Sequence, residues 1–173
     1  MFKAYDIRGI AGAEIDVSFS KRLGQSIVDF TGAKSIAVGR DIRTSGEELH
    51  EAMMDGIRSS GCEVVNLGVV PTGVVYRSTV DMEIDVAVVI TASHNPPEYN
   101  GFKIVHSGLP LAGGDLQDLK IVFDSVSEKD RSLDGGLIDG TDYVNSVIEK
   151  IVEDVGPINR KIIVSVDAAN AVP

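Results

Sequence analysis

The chain has no tryptophan, one cysteine, three histidines and 5% aromatic residues. One cysteine cannot close an intramolecular disulfide, so the fold must rest on its core. Cys62 opens an apolar run and is expected as a small buried residue, not a nucleophile. His50, His94 and His106 show no metal-ligand spacing. His50 falls on a helical stretch and is expected at the surface; His106 ends a strand and is expected to be structural. No apolar run reaches the roughly 18 residues of a membrane span, and Met1-Phe2-Lys3-Ala4-Tyr5-Asp6 lacks the apolar core of a signal peptide. Cytoplasmic residence with no membrane partner is the expectation. The Walker phosphate loop, G-x-G-x-x-G, H-E-x-x-H and CxxC are all missing, which disfavours the common nucleotide and zinc sites. Positive charge is also scarce: 16 Lys and Arg stand against 26 Asp and Glu, a net charge of -10 that repels phosphate backbones and argues against nucleic acid.

What is present is an ordinary globular composition, 43% hydrophobic with 18 glycines, on a chain of 173 residues, enough for one good core. Phe19, Leu23, Ile27 and Phe30 recur at helical spacing, with Asp16 or Ser18 as possible cap and Gly32 as stop. Ser35–Gly39 reads as a strand. A helix follows through Leu49, Ala52, Met53, Gly56 and Ile57, with Ser45 and Glu48 spaced as a capping box. Cys62–Leu67 is a second strand, and Thr72 can cap a short helix to about Thr79. The run Asp85-Val86-Ala87-Val88-Val89-Ile90 reads as a strand buried on both faces. Strand, helix, strand, helix, strand at this spacing implies parallel strands, whose carboxyl-end loops emerge at one edge, where open α/β sheets bind ligands. Arg40, Arg43 and the loop around Ser93 would line one cleft.

Eleven residues, Thr91–Gly101, are too few for a helical crossover, so Phe102–His106 should return antiparallel. The pattern predicts a further helix from Asp115 to about Asp124 and a polar surface loop over 125–140. A last helix, Asp142–Val155, turns Val144, Val147, Ile148, Ile151 and Val155 inward. Lys161–Val166 reads as a new strand. The fold class is therefore α/β: a three-layer domain with a mixed, mostly parallel sheet covered by helices, plus the first strand of a second domain. Domain limits are set at 1–155, a linker at 156–160, and a truncated second domain at 161–173.

The loop Thr91-Ala92-Ser93-His94-Asn95-Pro96-Pro97-Glu98-Tyr99-Asn100-Gly101-Phe102-Lys103 carries more chemistry than a turn needs, although Asn-Pro and Asn-Gly supply turn geometry by themselves. In an extended loop Ser93 and His94 point apart, which disfavours a Ser–His hydrolase. Phosphoryl transfer through Ser93 fits better. A phosphoserine bears about -1.5 to -2 charges and needs local cations, which Arg8, Arg43 and Lys103 supply. Thr91, on the same side of an extended chain, is the one substitute hydroxyl.

These residues resemble the phosphoserine loop of the α-D-phosphohexomutases, the phosphomannomutase/phosphoglucomutase superfamily. Tyr5-Asp6-Ile7-Arg8-Gly9, Gly39-Arg40-Asp41-Ile42-Arg43 and Pro71-Thr72 resemble the family's other first-domain motifs, in the same order. The ending Tyr99-Asn100-Gly101-Phe102-Lys103 looks more like that branch than the phosphoglucosamine mutases. Gly73 and Ala171 depart from the common pattern.

The resemblance implies the amino-terminal part of an enzyme that interconverts hexose 1-phosphates and 6-phosphates through a bisphosphate. It implies Ser93, Arg8 and Lys103 in catalysis, and Tyr5, Arg43, His94 and Asn95 at the phosphate and substrate. Mg²⁺ would be reached only through the phosphate on Ser93, with hexose 1,6-bisphosphate as activator. Partners would be hexose phosphates and the missing carboxy-terminal domains, without which this chain should be inactive. A naturally short, non-catalytic binding or regulatory module with the same fold is the alternative.

Overall fold

The computed structural model describes residues 1–126 and 134–168. Strands β1 (Ile7–Ile10), β2 (Ser35–Arg40), β3 (Glu63–Val69), β4 (Val86–Ile90), β5 (Tyr99–His106), β6 (Leu109–Pro110) and β7 (Leu137–Asp139) form one mixed sheet. Its order is β1-β5-β4-β2-β3-β7, with β6 beside β5. Pairing is parallel through β4, β2, β3 and β7, and antiparallel where β5 meets β4 and β1. Helices α1 (Val17–Thr31), α2 (Gly46–Ser59), α3 (Thr72–Asp81), α4 (Gly114–Ser125) and α5 (Tyr143–Val155) complete the fold.

All five residues of β4 are buried, because alternate side chains feed two cores. Val86, Val88 and Ile90 pack with Leu23 and Ile27 of α1, Leu49 and Met53 of α2, and Leu116 and Leu119 of α4. Ala87 and Val89 pack with Val75 of α3 on the opposite face, where Tyr143 and Val144 of α5 also lie. Helices therefore cover both faces, and each fully buried large side chain contributes about 1.5–3 kcal/mol. The few aromatics are gathered: Phe19 and Phe123 lie 4.8 Å apart at their ring centroids, Phe2 and Phe123 5.5 Å. Asp16 caps α1, accepting from Phe19 N at 2.7 Å, and Gly32 ends it in left-handed conformation, φ 67°.

Several expectations are corrected. Ser45 does not cap α2; its backbone is already helical, and its hydroxyl accepts from Asn100 Nδ2 at 2.9 Å. Thr72 is the first helical residue of α3, behind Pro71, and makes no side-chain cap. His50 is buried, not exposed, with Nε2 3.3 Å from Val38 O, because α2 lies flat on β2. Within the expected loop over 125–140, Leu137–Asp139 pairs with β3, and residues 127–133 lie outside the described residues.

On α5 only Val147 is buried. Ile148, Ile151 and Val155 are half-exposed or more, since the helix touches the core by its first turns alone. Residues 161–168 are exposed and pair with no strand, because the described chain offers their backbone no partner; 169–173 lie outside the described residues.

Candidate active site at the carboxyl edge of the sheet

Arg40 is in register with Ile90 on one side and Val69 on the other, so β2, β3 and β4 end together. The turn after β2 and the loop after β4 emerge side by side, tied by Asp41 N donating to Ile90 O at 3.0 Å. Between them, β5 and β1 carry the remaining residues. Lys103 pairs with Val89 and so projects on the α3 face, while Arg8 pairs with Gly101, just past the end of β4.

Ser93 occupies an exposed corner of this loop with φ 55°, the left-handed region. For a residue with a Cβ this costs about 1–2 kcal/mol, so neighbours must hold it. They do so on both sides of the residue. Ser93 N donates to Thr91 Oγ1 at 2.9 Å, and Ser93 O accepts from Arg43 Nη2 at 3.0 Å. The left-handed turn also overturns the expectation that Ser93 and His94 point apart: Ser93 Oγ and His94 Nδ1 stand 2.9 Å apart. Alternation of side chains holds only for extended backbone. Thr91 is equally unlike its expected role. It is buried, and its hydroxyl donates to Asp41 Oδ2 at 2.7 Å, leaving it an anchor and not a substitute for Ser93.

Arg43 is placed where expected, but turned onto the loop's own backbone. Nη1 donates to Pro96 O at 2.7 Å and Tyr99 O at 3.0 Å; Nη2 donates to Ser93 O and to Asn95 O, the latter at 2.7 Å. Arg40 turns away from the cleft, with Nη1 donating to Asp41 O at 3.2 Å.

Arg8 and Lys103 meet at Asp6. The Lys103 ammonium lies 3.3 Å from Asp6 Oδ2, and Arg8 Nη2 binds the same oxygen. Arg8 Nε is buried without a hydrogen-bond partner among the described residues, a donor available to an anion. Arg8 and Asp6 line a cleft of about 590 Å³ together with Lys3, Glu14, Asn95 and Tyr99. Asn95 joins the cleft, its own Nδ2 held by Ala92 O at 2.8 Å; Tyr5 is exposed and does not line it. On the α3 side, burial and the negative charge of Asp6 raise the Tyr76 phenol above its ordinary pKa.

Asp6 and Asp41 were not singled out as site residues from the sequence, and Thr91 only as a substitute hydroxyl. For Asp6 the only signal was its spacing, two residues before Arg8, and since it lies in the bend ahead of β1 strand alternation does not fix where it points. Among the described residues no group of three or more His, Cys, Asp or Glu side chains could hold a metal ion.

An exposed serine in a left-handed turn thus stands on the same carboxyl edge of a mixed α/β sheet as the Arg8–Lys103 cation pair, the edge where open α/β sheets bind ligands. The model of the family "Phosphoglucomutase/phosphomannomutase, alpha/beta/alpha domain I" matches residues 1–129, and the chain belongs to that family. It is 35% identical to the phosphomannomutase/phosphoglucomutase of Pseudomonas aeruginosa over 175 residues, covering 99% of this chain and 37% of that protein. Identity to the phosphoglucomutase of Neisseria gonorrhoeae is 38% over 178 residues, covering 99% and 38%. A crystal structure of a phosphoglucomutase/phosphomannomutase family protein from Burkholderia thailandensis superposes with TM-score 0.76 at 36% identity, covering 88% of this chain and 35% of that one. The chain thus spans under two-fifths of the length of these relatives.

Proposed function

We propose that this chain is the phosphoryl-carrying part of a phosphohexomutase that interconverts hexose 1-phosphates and 6-phosphates through a bisphosphate intermediate. In this reading residues 1–155 are the first domain, 156–160 a linker and 161–173 the opening of a second. The observation that carries it is the exposed Ser93 hydroxyl, held in a left-handed turn at the carboxyl end of β4 on the edge that also bears Arg8 and Lys103. Phosphoryl transfer asks the protein for positioning and charge stabilisation more than for covalent chemistry.

When unphosphorylated Ser93 attacks a phosphate group of the bisphosphate, Oγ forms the bond to phosphorus as the bond from phosphorus to the sugar oxygen breaks; the Oγ proton passes to His94 Nδ1, 2.9 Å away, and the departing sugar oxygen takes up a proton to leave as a hydroxyl. Arg8 and Lys103 stabilise the charge on the phosphoryl oxygens, with Asp6 holding the two cations in place until then. The described residues do not by themselves form a magnesium site. The ion, if carried, would be held by groups outside this chain and would touch it only through the Ser93 phosphate. Hexose recognition lies outside it as well, so the chain alone should not turn over hexose phosphates, and hexose 1,6-bisphosphate is the expected activator.

The test is Ser93→Ala in a polypeptide that includes the remaining domains. Turnover should fall by orders of magnitude with the melting temperature nearly unchanged, and phosphopeptide mapping should place phosphate on Ser93. Near-normal turnover in the variant, or phosphate mapped elsewhere, would overturn the reading.

A further inference from the structure

We infer that Arg43 is a positioning residue for Ser93, a clamp that sets the shape of the loop from inside and touches neither phosphate nor sugar. The functional meaning rests on Ser93 as phosphoryl carrier; the geometry does not. Four carbonyls, those of Ser93, Asn95, Pro96 and Tyr99, converge on the two terminal nitrogens of one guanidinium, at 2.7–3.0 Å. Those nitrogens carry four N–H donors, and every one has an acceptor. None of these four remains for a phosphate, and the fifth donor, Nε, makes no hydrogen bond but is buried against the Asp41 carboxylate.

The charge is balanced by Asp41, whose Oδ2 lies 3.4 Å from Arg43 Nε. Asp41 also accepts from Arg43 N at Oδ1, 3.0 Å, and from the Thr91 hydroxyl, 2.7 Å. One carboxylate thus braces both restraints on Ser93: Thr91 Oγ1 on its N–H and the guanidinium on its C=O. The loop makes two turns of its own, Asn95 N to Ala92 O and Tyr99 N to Pro96 O, both at 3.1 Å, and the guanidinium ties the carbonyls of these turns to one point. A planar fork with fixed donors can gather four acceptors around its edge, whereas an ammonium, a point charge with three rotating donors, cannot.

The charge-preserving variant Arg43→Lys is therefore decisive, compared with Arg43→Gln and Thr91→Val. On this chain, NMR should show the three-bond HN–Hα coupling of Ser93 leaving the left-handed value in all three variants. Amides of Asn95 and Tyr99, which donate within the loop, should exchange at least tenfold faster in both Arg43 variants, while the amides of β4 keep wild-type exchange and so report an intact fold. In the longer polypeptide, Arg43→Lys should lower kcat at least tenfold with KM unchanged.

A wild-type Ser93 coupling and wild-type loop exchange in Arg43→Lys would overturn the clamp; so would a raised KM at unchanged kcat, which would put Arg43 on the substrate. The loop measurements need no phosphate. Their failure is therefore separate from that of the carrier reading, which falls if turnover survives Ser93→Ala.

Discussion

Lys103 on β5 and Asp6 just before β1 lie 3.3 Å apart, Nζ to Oδ2, and the same carboxylate oxygen holds Arg8. Two cations are thus kept side by side by one buried anion. An incoming phosphate would have to share these cations with Asp6.

Asp6→Asn should therefore have opposite effects on stability and on anion binding. Losing the carboxylate leaves two like charges facing each other and should destabilise the chain by roughly 1–3 kcal/mol, a figure lowered for the partial exposure of both cations. The freed cations should bind inorganic phosphate more tightly. Urea unfolding and a phosphate titration followed by NMR check both halves; weaker phosphate binding in the variant would remove Asp6 from its restraining role.

Backbone conformation at Ser93 makes a separate prediction. Glycine enters the left-handed region freely, and alanine does not. Ser93→Gly should be more stable than Ser93→Ala by about 1 kcal/mol. If melting temperatures ranked alanine above glycine, the turn would not be left-handed.

Gly56 lies where α2 crosses α1, and a Cβ there would meet Lys21 O at 2.0 Å. Alanine raises helix propensity by about 1 kcal/mol, but overpacking of a backbone contact costs about 1–3 kcal/mol or more. Gly56→Ala should come out destabilised in urea unfolding, whereas Gly73→Ala, where a Cβ meets nothing within 4 Å, should not.

His50 links stability to pH. Burial, reinforced by the charge of Arg40 and opposed by the hydrogen bond to Val38 O, holds its imidazole below the ordinary 6.5. The unfolded chain takes up the proton near 6.5 and the folded chain only at lower pH, so protons favour unfolding. Its contribution is complete above the unfolded pKa and lost as pH falls from there through the folded value, with a slope of up to about 1.4 kcal/mol per pH unit. Unfolding free energies measured between pH 7.5 and pH 5 should fall more steeply in the wild type than in His50→Gln. Parallel curves would mean His50 is solvated.

The repeating elements were legible because their patterns are set by burial: the β4 run, the α1 stripe and the antiparallel return of β5 all stand where expected. Leu137–Asp139 was not, because three residues at a sheet edge leave no period to read. The outer stripe of α5 was misread since periodicity shows that a helix has an apolar face, not that the described chain covers it. At the site, residue types pointed to phosphate chemistry, but Ser93 turned onto His94 goes with one positive φ, and Thr91 on Asp41 and Arg43 on four carbonyls are contacts of the loop that holds it. A serine's left-handed conformation leaves no mark in the sequence.

The placement of β1 at the sheet edge beside β5 bears on the order in which the molecule assembles. β2 finds β3 and β4 across roughly 30 and 50 residues, whereas Ile7 must find Phe102 across roughly 95. Contacts so distant along the chain carry the largest loop-closure entropy and form late. Arg8 rides on that strand and Asp6 directly precedes it, so the cation pair is completed only at the last step of folding, after the serine loop already has its sheet to stand on.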